Sequence, residues 1–62
     1  MTKKQMVAEL ERRMRYFYEQ YEHWTEIAKA NPDNPSHRVV AEFFKGKAFA
    51  TEDAMILVKG EK

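Results

Sequence analysis

Two histidines, a series of glutamates and three clustered arginines are the residues of this chain whose types could do chemistry. His23 and His37 fall on different segments, and no cysteine accompanies them. Glu19, His23 and Glu26 recur at helical spacing, so they share one side of a helix and come nearest to a metal set. A diiron site in a helix bundle needs Glu together with Glu-x-x-His pairs aimed into a core, and that spacing does not occur. HExxH and a glycine-rich phosphate loop are also missing. Glu9, Glu11, Glu19, Glu22 and Glu26 all have polar helical neighbours, which marks a solvated face rather than an acid–base pair. A hairpin of this size is further expected to lack the hollow of several hundred Å³ that ligands occupy. The expectation is a non-enzyme, with no catalytic residue, no cofactor and no metal.

The arginines suggest a different chemistry. Arg12, Arg13 and Arg15 lie within one helical turn, with Tyr16 and Tyr18 beside them and Lys3 and Lys4 extending the basic end. Arg and Lys can contact phosphate, and aromatic rings can stack on bases. The net charge is only +1, and the sequence pI of 8.0 is modest for a nucleic-acid domain. Pairing of these arginines with Glu52, Asp53 and nearby glutamates is the favoured expectation. A nucleic-acid regulator using Lys3, Lys4, Arg12, Arg13 and Arg15 is the alternative, and a structural assembly subunit is a third reading.

The elements that position these residues follow from one break in the chain. Asn31-Pro32-Asp33-Asn34-Pro35 is the single cluster of turn formers. Thr2 and Gln5 have the spacing of a capping box, so a helix is predicted over residues 3–30. Its apolar stripe is Val7, Leu10, Met14, Phe17, Tyr21, Trp24 and Ala28, a heptad pattern. Asn34 and Pro35 suit the start of a second helix and Gly60 its end, which predicts helix over residues 35–59. The stripe expected to face helix one is Val39, Val40, Phe43, Gly46, Ala50, Ala54, Leu57 and Val58. Gly46 or Thr51 could interrupt that helix. Folding at the turn opposes bulky residues of helix one to small residues of helix two.

The fold expectation is therefore all-α: one antiparallel two-helix hairpin over residues 1–62. With 62 residues and no cysteine, the chain has a small core and no disulfide to support it. Dimerisation into a four-helix bundle is the expected supplement, through Phe44, Ala48, Thr51 and Met55. Arg13, Tyr16, Gln20, His23 and Ile27 of helix one, with Phe49 and Ile56 of helix two, lie outside the main stripes. They are the expected protein-binding residues, since aromatics and Arg are enriched at binding hot spots. No apolar run is long enough for a membrane span, and no signal sequence leads the chain. A cytoplasmic regulator that binds another protein, of the compact kind found in phages and mobile elements, is the leading functional expectation. No motif carries a resemblance to a known family.

Overall fold

Local hydrogen bonding starts and stops both helices. Thr2 caps helix α1 (Lys3–Ala30): its hydroxyl accepts from the Gln5 amide at 3.1 Å, and the Gln5 side chain accepts from the Thr2 amide at 2.8 Å. This exchange satisfies two donors that a helix N-terminus otherwise leaves unpaired. Asn31 closes α1, its amide and its side-chain NH2 both donating to the Ile27 carbonyl, at 3.0 and 2.9 Å. Asn34 caps helix α2 (Pro35–Lys59) by accepting from the Ser36 amide at 3.1 Å. Gly60 ends α2 in the left-handed region, at φ 75°, where a side chain would be strained. The computed structural model describes residues 1–60; the last two positions of the expected domain, 61 and 62, lie outside the described residues.

The two helices are antiparallel and in contact, forming a rod of 46 × 18 × 14 Å. α2 is unbroken at Gly46 and Thr51. The Thr51 hydroxyl donates to the Lys47 carbonyl at 2.8 Å and so is satisfied within the helix.

Helix α1 turns its heptad stripe inward, with every member from Val7 to Ala28 half-buried. Helix α2 corrects the sequence reading. Its buried residues are Ala41, Ala48 and Met55, with His37, Phe44, Thr51 and Val58 half-buried at the same alternating spacing. The stripe expected there points outward instead: Val39 is 66% exposed, Phe43 57% and Leu57 80%, and Gly46 and Ala50 are exposed with them. Val40, Ala54 and Val58 remain half-buried at its edge. Across the seam Phe17 lies against Phe44 (ring centroids 6.4 Å) and Trp24 against His37 (5.9 Å). α2 differs from expectation in rotation, by one residue or roughly 100° about its axis.

Two physical causes set that rotation. The turn is hydrogen-bonded at both ends and closed by the Asn34 amide on the Asn31 carbonyl at 3.1 Å, so it constrains the angle at which α2 leaves. Ala41 and Ala48 also present almost no side chain, which lets the large α1 residues lie close to the α2 backbone. Val39 and Phe43 in the same positions would hold the axes apart. Large-on-small packing does form, with Ala41 and Ala48 as the small partners. A second correction follows: Phe44, Ala48, Thr51 and Met55, expected at a dimer interface, belong to the seam within one chain.

Charge pairing follows the expectation for the nearby glutamates and is corrected for the cross-helix partners. Arg12, Arg13 and Arg15 do not cross to Glu52 and Asp53. Glu9 holds both Arg12 and Arg13, and Arg15 pairs with Glu11 at 2.6 Å. Partners three or four residues away on the same helix are already in reach, and an exposed cross-helix pair would offer little more.

This packing separates two neighbouring residues by effect. Met55→Ala should destabilise the fold by about 2 kcal/mol or more. Leu57→Ala should change stability by less than about 0.5 kcal/mol. Urea unfolding in dilute solution checks both; equal losses would place Leu57 in the seam.

Candidate functional site

The rod has two broad faces beside its seam. On the first, the Lys47 ammonium stands over the rings of Phe17 (5.6 Å) and Phe43 (5.1 Å), so side chains of both helices meet there. Farther along the same face, Met6, Leu10 and Arg13 of α1 line a hollow of about 360 Å³ with Ala54 and Val58 of α2. On the second face, Tyr18 meets Phe49 edge-on at 6.4 Å and donates to the Glu52 carboxylate at 3.3 Å. The Lys45 ammonium lies over Tyr21 and Phe49 on this side, at 6.0 and 5.8 Å.

The seven predicted protein-binding residues divide between these faces. Arg13, Tyr16, Gln20, His23 and Ile27 recur at three- and four-residue spacing and form one stripe along the first-face flank of α1. Phe49 and Ile56, both exposed, stand on the second face of α2. The helix-one set and the Phe49–Ile56 pair, expected as alternative binding surfaces, therefore lie on different faces. In the α1 stripe, Tyr16 is 53% exposed, its ring braced edge-on by Phe17 at 5.7 Å. His23 is exposed and braced in the same way by Trp24 at 5.6 Å. Gln20 and Ile27 are half-buried, and Arg13 is exposed but held by Glu9 at 3.0 Å.

Of the basic set, Arg12, Arg13 and Arg15 are engaged with glutamates of their own helix. Lys3 reaches the Lys59 carbonyl at the far end of α2, at 3.3 Å. Folding brings both histidines against Trp24, His23 at 5.6 Å and His37 at 5.9 Å between ring centroids, a grouping that the sequence spacing does not suggest. His37 is half-buried there, and its Nδ1 is buried without a hydrogen-bond partner. Among the described residues, no group of three or more His, Cys, Asp or Glu is placed to hold a metal ion. No helix among them is long and apolar enough to cross a membrane.

The expectation of no sizeable hollow is corrected. A trough of about 400 Å³ lies beside the turn, between Tyr21 and Thr25 of α1 and Arg38 and Ala41 of α2. Its wall includes Lys29, Asn34, Arg38 and Glu42, all exposed, so it is a surface groove between helix ends.

The large apolar residues that sequence reasoning places in the seam, and that stand in solvent, are Val39, Phe43 and Leu57. Their exposure is concealed in the sequence because α2 carries two apolar stripes, each with helical period. Compared with known protein families, curated proteins and solved structures, the chain matches none.

One titration marks the second face. Desolvation, and then the neighbouring Glu52 carboxylate, raise the Tyr18 hydroxyl above its ordinary pKa of 10.0. A raised folded-state pKa contributes stability below the unfolded pKa, and that contribution is lost as pH rises through the folded value. Tyr18→Phe should therefore flatten the loss of stability above about pH 10. Thermal unfolding of both proteins across that range checks it; parallel curves would mean that Tyr18 ionises as freely folded as unfolded.

Proposed function

We propose that this protein is a small non-enzymatic interaction protein. It binds another protein, alters that protein's activity, and works as a dimer of hairpins assembled into four helices. The observation that carries the reading is the α1 stripe. Arg13, Tyr16, Gln20, His23 and Ile27 stand together outside the seam, with the Tyr16 ring half in water yet fixed by Phe17. A braced aromatic loses little conformational freedom on binding, and Tyr and Arg are favoured anchors. In this mechanism Tyr16 and Ile27 supply apolar contact, while Arg13, Gln20 and His23 supply polar contacts around them. The nucleic-acid alternative has weaker support, because three of its five residues already sit with glutamates of α1.

Affinity capture of the tagged protein, with nuclease and without it, tests this reading. The comparison is between the natural chain and a Tyr16→Glu, Ile27→Glu double variant. One partner protein should survive nuclease treatment and be lost with the double variant, whose helicity is unchanged. Capture that vanishes with nuclease, and falls steeply with salt, would replace this reading with phosphate contact.

A further inference from the structure

Apart from Met1, the most exposed large apolar side chains are not on the α1 stripe but on the outer side of α2: Leu57, Val39 and Phe43. Gly46 and Ala50 lie between them, so the stripe is bulky at its ends and small in the middle. Of its large side chains, Phe43 meets Lys47 and Phe44 at one edge, and Val39 and Leu57 remain largely in water. A Cβ built at Gly46 would meet no atom within 4 Å, so the seam does not require glycine there. Glycine is nevertheless the least favoured residue after proline in a helix interior. A second backbone approaching closely would account for it.

The surface area points the same way. The chain exposes 4898 Å². A compact folded protein of 7.4 kDa would expose about 4,200 Å². The excess of about 700 Å² is the extra surface of an elongated two-helix rod, and covering one side with a second copy would bring the shape closer to a compact one.

We infer that a second copy of this chain covers the Val39–Phe43–Gly46–Ala50–Leu57 stripe, α2 packing antiparallel on the partner's α2. The inference rests on the dimer proposed above and assigns its face. The pattern suits its own image. A two-fold axis near the middle of the stripe sets Gly46 beside the partner's Ala50, so the helices cross closely. The same axis sets Val39 beside the partner's Leu57, so each bulky end fills space next to the other. Glu42 and Asp53 border one edge and Lys47 the other, giving the polar rim of an interface. The α1 stripe stays free for a different protein.

Sedimentation equilibrium of the full chain over a wide concentration range tests this assignment. It compares the natural sequence with Phe43→Glu, Gly46→Gln and, on the second face, Phe49→Glu. The natural chain should dimerise. Phe43→Glu should raise the dissociation constant at least about a hundredfold and Gly46→Gln at least about tenfold. Phe49→Glu should leave it within about twofold. Gln favours helix more than Gly, so weakening by Gly46→Gln with helicity retained is not a folding defect. A natural chain that stays monomeric throughout would overturn both this inference and the proposed dimer. A dimer that survives Phe43→Glu and Gly46→Gln would overturn the face alone.

Discussion

Close approach of α1 to the α2 backbone at Ala41 and Ala48 is the constraint on which the rest of this hairpin depends. Ala48 is completely covered and Ala41 nearly so. Their small side chains leave room for the ring-rich stripe of α1, from Phe17 to Trp24, to lie across α2. Dispersion and water exclusion then act over many contacts that larger residues would have kept apart. The closed turn from Asn31 to Asn34 holds the two helices at the angle that makes this approach repeat along the rod. Among the described residues only three are buried, so the seam has little spare stability to lose.

The same constraint decides what faces water. With Ala41, Ala48 and Met55 turned inward, Val39, Phe43 and Leu57 must turn outward, because residues at those spacings cannot share a side of one helix. The polar contacts arrange themselves around this result. Lys47 lays its charge over Phe17 and Phe43 at one edge of the seam, and Tyr18 reaches Glu52 at the other. The arginines of α1 stay with glutamates of their own helix. In the proposed reading, a hairpin with so little interior divides its outer surface between two protein contacts.

Much of the fold is legible in the sequence because it is local. Thr2 and Gln5 cap one helix, Asn34 and Pro35 start the next, and Gly60 ends it. A single turn then fixes antiparallel order. The α1 stripe is legible too, since its large residues follow one heptad line. Rotation of α2 is not. The line through Ala41, Phe44, Ala48 and Met55 and the line through Val39, Phe43, Ala50 and Leu57 have the same period, and the line through Val39 carries more large apolar side chains. Choosing between them requires the distance between helix axes, which only small residues at the crossing permit. For the candidate site, spacing alone unites Arg13, Tyr16, Gln20, His23 and Ile27. It cannot place Phe49 and Ile56, whose face depends on that rotation.

Rotation of α2 is read from the nuclear Overhauser contacts made by the methyl groups of Ala48 and Ala50. A dilute, isotope-filtered sample restricts these to contacts within one chain. The Ala48 methyl should show strong contacts to the aromatic rings of α1, and the Ala50 methyl should show none. Contacts from Ala50 to those rings, with Ala48 silent, would mean that α2 presents its other stripe to α1 and that the outward face described here does not exist.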